Sequence, residues 1–378
     1  MVPKGWEILS IGDLGDVITG STPKTSDLSL YGGDIPFVGP ADLGRGKPIT
    51  SAIKTLSDEG FQATRKIRKG ATLFTCIGST IGKIGFSGTA LATNQQINAV
   101  VPNKLHDDNF IYHALKYRAS HIAKLAGTQA VPIINKSTFS SQPILVSPLP
   151  EQKKIAQILS TWDQAITATE RLLENSQQRK KGLMQKLLTG KKRLPGFEEE
   201  WQKIELGEAL KYQQPTPFLV RSTEYSNDFP TPVLTAGKSF LLGYSDEEFG
   251  IYRNVLPTII FDDFTTASRF VDFPFKVKSS AIKILTSNSG FSTRYLLEAM
   301  QMIRFKVGGH QRHWISIFAN LVIPCPSFEE QKAISKVLAT ADHEISALQN
   351  FLKSLKKEKK ALMQQLLTGK RRVQVEAA

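Results

Sequence analysis

The sequence predicts an α+β chain: two globular α/β modules joined by two long α-helices, packed as an antiparallel coiled coil in a pseudo-two-fold arrangement. Three observations predict it. A long amphipathic stretch occurs twice, beginning Glu151-Gln152-Lys153 and ending at Arg193, then beginning Glu330-Gln331-Lys332 and ending at Arg372. The two copies align without a gap and roughly half their positions are identical, which marks a duplicated unit. Each copy also follows a segment opened by the same short signature, Trp6-Glu7-Ile8 through Gly12-Asp13 and Trp201-Gln202-Lys203 through Gly207-Glu208. A chain of 378 residues with 41% hydrophobic residues can fill two or three cores.

The first module spans 1–147. Short apolar runs at Ile35–Val38, Ala71–Thr75 and Asn98–Val101 lie between Gly- and Pro-rich turns and read as strands. Asp108 to Ala126 carries Phe110, Ile111, Ala114, Leu115, Ile122 and Leu125 at helical spacing. The first long helix occupies 148–193. Its seam runs Ile155, Leu159, Trp162, Ile166, Thr169, Leu173, Ser176, Lys180, Leu183, Leu187, in alternating steps of four and three. The second module, 194–325, starts like the first and then diverges, with strands expected at Ile259–Phe261 and Ala281–Leu285 and a helix over Ser292–Met302. The second long helix, 326–372, keeps every phase of the seam: Ile334, Leu338, Ala341, Ile345, Leu348, Leu352, Leu355, Lys359, Leu362, Leu366. Ser327 and Glu330 form a capping-box pattern at its start. A tail of 373–378 remains. A helix with one apolar stripe must bury it, and the duplicate is the partner nearest to hand.

The formal net charge is +14. Residues 175–193 hold seven Lys/Arg and no acid, and residues 353–372 hold eight Lys/Arg and one acid, which accounts for all of it. Bulk charge therefore does not mark the modules as phosphate-binding. Two separated cysteines, Cys76 and Cys325, fit no metal or redox spacing, and no apolar run is long enough for a membrane span. A cytoplasmic protein is expected.

Motifs suggestive of catalysis are weak. Gly78-Ser79-Thr80-Ile81-Gly82-Lys83 is one residue short of a phosphate-binding loop, and Ile84 replaces the magnesium-binding hydroxyl. Asp262-Asp263 lacks the acid-x-Lys partner of a metal-dependent nuclease. His310-Gln311-Arg312-His313 has no third zinc ligand nearby. No metal site and no catalytic residue is expected. Polar and basic groups in Gly-rich or aromatic loops are the better candidates for DNA contact: Arg45, Lys47, Ser79, Thr80, Lys83, Gln95 and Gln96 in the first module. In the second they are Thr265, Thr266, Arg269, Gln311, Arg312 and His313, since Gln and Arg pair bidentately with base edges.

With these residues in view, the chain resembles the specificity subunits of Type I restriction–modification systems. The most specific matches are P-L-P-E-Q-K-K-I-A and L-M-Q-K-L-L-T-G over 148–190, with S-F-E-E-Q-K-A-I-S and L-M-Q-Q-L-L-T-G over 327–369. Gly20-Ser21-Thr22-Pro23, Thr93-Asn94-Gln95-Gln96 and Phe270-Val271-Asp272-Phe273-Pro274 support it. The resemblance implies that each module is a target recognition domain reading one half of a bipartite, asymmetric duplex sequence. It implies that the helices are spacers that set the half-site separation and dock two methyltransferase subunits, with restriction/translocase subunits joining the full complex. S-adenosylmethionine would sit on the methyltransferase subunits, ATP and magnesium on the restriction subunits, and no cofactor on this chain. The alternative is a coiled-coil scaffold whose globular ends bind protein, for which the balanced charge of the second module speaks.

Overall fold

The computed structural model describes residues 2–44, 46, 48–127, 131–235, 239–303 and 313–375. It divides into two compact units, residues 1–172 with 348–378, and residues 173–347. Each unit therefore takes a module together with one half of each long helix.

In unit one the strands are β1 Glu7–Ser10, β2 Gly15–Thr19, β3 Tyr31–Val38, β4 Pro48–Ile49, β5 Lys54–Leu56, β6 Thr72–Thr75, β7 Ile84–Ser87, β8 Ala92–Thr93, β9 Ile97–Pro102 and β10 Pro143–Val146. They form a five-stranded sheet β2-β9-β6-β7-β4, a three-stranded sheet β5-β3-β8 and the pair β1-β10. The expected strands lie within β3, β6 and β9, save that Ala71 precedes β6. All four residues of β6 are buried, as a run with no polar face requires. Helix α1, Asp108–Ala123, starts where Asp107 accepts the Asn109 and Phe110 amides, and it buries Phe110, Ile111, Leu115 and Ile122.

Unit two holds β11 Gln202–Glu205, β12 Leu210–Gln213, β13 Thr231–Leu234, β14 Leu241–Ser245, β15 Thr258–Asp262, β16 Ser268–Val271, β17 Lys276–Val277, β18 Ile282–Ser287 and β19 Val322–Cys325. Its sheets are β12-β18-β15-β16, β14-β13-β17 and β11-β19. Apart from β4, which has no counterpart among the described strands, this repeats unit one: β12, β18, β15 and β16 take the places of β2, β9, β6 and β7. The parallel pair β13-β17 likewise takes the place of β3-β8. The sequence similarity ends soon after the opening signature, yet the strand order continues through the module.

The long helices are α2, Leu149–Leu187, and α4, Phe328–Leu366, each of 39 residues and about 58 Å long. The shorter helix α3, Thr293–Met302, is capped by Ser292. Antiparallel packing is visible inside each unit separately. In unit one Asp163 meets Lys359 and Glu170 meets Lys356; in unit two Ser176 meets Glu344 and Lys180 meets Asp342. Every expected seam position is buried or half-buried. Its apolar ends do more than pair the helices. Ile155 and Leu159 with Leu366 belong to the core of unit one, and Leu187 with Ile334 and Leu338 to that of unit two.

The capping box expected at Ser327 and Glu330 is replaced by a different contact. Glu330 is fully buried, and its oxygens accept Arg193 Nε at 2.7 Å, Arg193 NH2 at 2.7 Å and Trp201 Nε1 at 3.0 Å. A buried carboxylate is held more firmly by a bidentate guanidinium than by its own helix amides.

Candidate nucleic-acid interface

That contact occurs twice. In unit one Glu151 accepts Arg372 Nε at 2.9 Å, a second bond from Arg372 NH2, and Trp6 Nε1 at 3.3 Å, while Arg372 NH1 reaches Lys4 O at 3.0 Å. The three parts are the three sequence repeats: the module-opening tryptophan, the helix-opening glutamate and the arginine that follows the other helix. The neighbouring glutamine completes the joint. Gln152 Oε1 accepts the Asp107 amide at 2.8 Å and Gln331 Oε1 accepts the Ser292 amide at 2.9 Å, so each long helix is tied to the N-cap of α1 or α3. The repeated residues thus fix each module to its helices and leave the module loops outside the joints.

In unit one the loop between β6 and β7 carries exposed Ser79 and Lys83 and half-buried Thr80. Gly78 (φ 92°) and Gly82 (φ 89°) supply its left-handed turns. Its amides are turned inward: Gly78 N donates to Pro132 O, Gly82 N to Thr75 O and Lys83 N to Thr80 O. A phosphate-binding loop needs such amides free, so the resemblance to one is superficial. The β8–β9 turn stands alongside. Gln96 Nε2 donates to Ile77 O at 3.5 Å, Asn94 Nδ2 to Gln96 Oε1 at 2.9 Å, and Thr22 Oγ1 to Gln95 Oε1 at 2.7 Å. Lys83 Nζ reaches Pro40 O at 3.4 Å, which adds the loop after β3. Ser79, Thr80, Lys83, Gln95 and Gln96 are therefore brought to one surface. Arg45 and Lys47 lie outside the described residues.

In unit two the β15–β16 hairpin occupies the place of the β6–β7 loop. Thr265 and Arg269 are exposed on it, and Thr266 takes a left-handed conformation (φ 61°) at its tip. Asp262 braces the turn by accepting Phe264 N at 3.0 Å and the Thr265 hydroxyl. Arg269 lies 5.9 Å from the centre of the Phe240 ring. Asp263 is 1% exposed; its carboxylate accepts Trp314 N at 2.8 Å and faces Lys283 Nζ at 3.6 Å. The two aspartates are thus turn and core residues.

His313 must be corrected. It is 1% exposed and its Nδ1 lies 2.8 Å from Asp263 O, so its imidazole packs inside the unit and not in an exposed loop. Gln311 and Arg312 lie outside the described residues. A further candidate that the sequence did not single out is Lys278, exposed with Ser280 in the β17–β18 turn. This turn is the counterpart of Asn94–Gln96, and Lys278 N donates to Leu234 O as Asn94 N does to Val38 O. Only strand order reveals it. A cleft of about 1040 Å³ opens in the same unit, walled by Phe240, Tyr244, Phe273 and Arg253.

The basic helix ends divide into two kinds. Arg193 and Arg372 are consumed in the joints, and Lys180 and Lys359 in ion pairs to Asp342 and Asp163. Lys181, Lys186, Lys353 and Lys357 are exposed.

The model of the Type I restriction modification DNA specificity domain matches residues 3–175 and again residues 198–357. The chain belongs to the Type I restriction–modification specificity family. Similarity to this family is shared with the EcoR124I/EcoR124II specificity subunit of Escherichia coli, 46% identical over 147 residues, which are 37% of this chain and 36% of that one. The MjaVIII specificity subunit of Methanocaldococcus jannaschii is 24% identical over 98% of this chain and 94% of its own length. Among solved structures, the S subunit of a Type I system from M. genitalium superposes with a TM-score of 0.72 at 18% identity, covering 97% of this chain and 96% of that one. The likeness extends to the fold of a specificity chain along its whole length.

Proposed function

We propose that the chain reads a bipartite, asymmetric sequence in double-stranded DNA, one half with each unit. The observation that carries this reading is that two modules of one strand order present different chemistry at equivalent turns. Ser79, Thr80 and Lys83 stand where the other unit has Thr265 and Thr266, and Asn94–Gln96 where it has Lys278–Ser280. Equal frames with unequal loops call for unequal half-sites. Base edges are read from such loops by amides, hydroxyls and guanidinium groups, while the exposed lysines of the helices bind phosphate in any sequence.

The long helices, on this proposal, set the half-site separation and dock two methyltransferase subunits. Leu172 and Phe351 hold equivalent positions in the two helix copies and are each 55% exposed, which supplies apolar surface for a partner. S-adenosylmethionine belongs to those partners, ATP and magnesium to the restriction subunits, and the chain itself catalyses nothing.

Footprinting of the assembled methyltransferase complex tests the reading. Two protected half-sites separated by an indifferent spacer are expected, with affinity that falls steeply as salt rises. One contiguous footprint overturns the bipartite assignment. Salt-independent or absent DNA binding favours a protein-binding scaffold.

A further inference from the structure

The strongest asymmetry between the units lies where the module helix meets the long helices. In unit two this position is closed by four charges. Lys180 contacts Glu298 at 3.2 Å and Asp342 at 2.7 Å, and Arg294 contacts Glu298 at 3.0 Å and also Asp342. Two cations and two carboxylates neutralise one another.

Unit one keeps one half of that net and loses the other. Lys359 and Asp163 are the repeat counterparts of Lys180 and Asp342, and they pair. In register from the helix caps, Arg294 is replaced by Asn109 and Glu298 by His113. His113 is 1% exposed and its Nδ1 has no hydrogen-bond partner among the described residues. Burial, then Lys359 and Lys116, pushes its pKa down to about 3, so the ring is neutral. Burial and Lys116 also lower the pKa of Lys359.

Two adjoining cavities open here, of about 360 and 290 Å³, both bordered by Gly46, Asp163 and Thr167. The first is walled by Phe86 and Tyr112, with ring centres 5.3 Å apart, and by the amides of Asn109 and Gln164. The second is bordered by Lys116, Lys356, Lys359 and Lys360 against Asp163 and Glu170. Among the described residues that border it, four lysines against two carboxylates leave two positive charges uncompensated. A phosphate monoester carries about that charge with opposite sign at neutral pH. An aromatic wall with amides suits a nucleobase, and the first cavity falls in the size range of small-molecule sites.

We propose that this cleft of unit one binds a free nucleoside monophosphate, its base between the aromatic rings and the amides and its phosphate among the lysines. The proposal is independent of the DNA reading above. Isothermal titration and thermal shift of the full chain test it, with 5′-AMP, 5′-GMP, 5′-CMP and 5′-UMP as probes. Adenosine, inorganic phosphate and an arbitrary short duplex serve as controls. Saturable binding of at least one mononucleotide is expected, about tenfold tighter than adenosine or phosphate. The double variant Asn109→Arg with His113→Glu rebuilds the closed net of unit two and should weaken binding by about tenfold or more. Lys360→Gln, at an exposed position with no hydrogen bond or ion pair to the described residues, should weaken it without change in circular dichroism and covers the case in which the double variant misfolds.

Four results overturn the proposal. They are no saturation by any of the four nucleotides, phosphate binding as well as the best nucleotide, both variants binding like the parent, and full displacement by the duplex. The last would assign the lysines to DNA phosphate instead.

Discussion

Glu330 and Glu151 show what single residues cost and contribute here. A buried carboxylate survives only if its charge is met, and both Glu330, with no exposed surface, and Glu151, 6% exposed, are met by one arginine fork and one indole. Trp201→Phe removes one hydrogen bond to a buried charge and should lower stability by about 1.5–3 kcal/mol in urea unfolding. An unchanged midpoint would make the indole a packing group alone. His113 gives a pH signature. Its folded pKa of about 3 lies below the ordinary 6.5, so the folded state holds the proton less tightly than the unfolded. Its contribution is whole above pH 6.5 and is lost with acid at about 1.4 kcal/mol per pH unit. His113→Gln should flatten the stability profile between pH 6.5 and 5 relative to the parent; parallel profiles would refute it. Burial pushes both Cys76 and Cys325 up to about 11, so neither thiol should react with a disulfide reagent at pH 8 until the chain is unfolded. Rapid stoichiometric release from the native chain would contradict this.

At the scale of elements, the two 39-residue helices are held most firmly at their ends. Ile155, Leu159, Ile334 and Leu338 are within 1% of complete burial, whereas Trp162, Ile166, Leu173, Ile345 and Leu352 are half-buried. Leu159→Ala or Leu338→Ala should cost about 2–5 kcal/mol and Leu352→Ala distinctly less, measured by denaturant midpoints. The helices, their seams and the principal strands were legible because apolar periodicity and an internal repeat are local signals. The joints were not, since Glu330 looks like a capping residue until the arginine beyond the other helix is placed beside it. The candidate loops were half legible as exposed turns. Glycine and amide clusters pointed to Ser79–Lys83 and Gln95–Gln96, but Lys278 is marked only by its turn's place in the sheet. His313 misled because a polar pattern gives no measure of depth.

For the whole molecule, the exposed lysines predict a uniform effect. Converting Lys181, Lys186, Lys353 and Lys357 to Gln should weaken binding to all DNA sequences alike and flatten the salt dependence. A changed target sequence, read by methylation-sensitive sequencing, would give the lysines a reading role instead. The two units also differ in how the chain composes them. Unit two is one continuous stretch, residues 173–347, whereas unit one joins residues 1–172 to residues 348–378. Arg372 must reach back to Glu151 and Lys4 before unit one is closed. Synthesis at about 5–20 residues per second therefore leaves the first-made module waiting on the order of ten seconds or more for its last helix turn. On the ribosome the customary order is reversed: the later half matures first. The earlier half spends that interval without Met363, Leu366 and Leu367, the side chains that complete the core around Ile155 and Leu159.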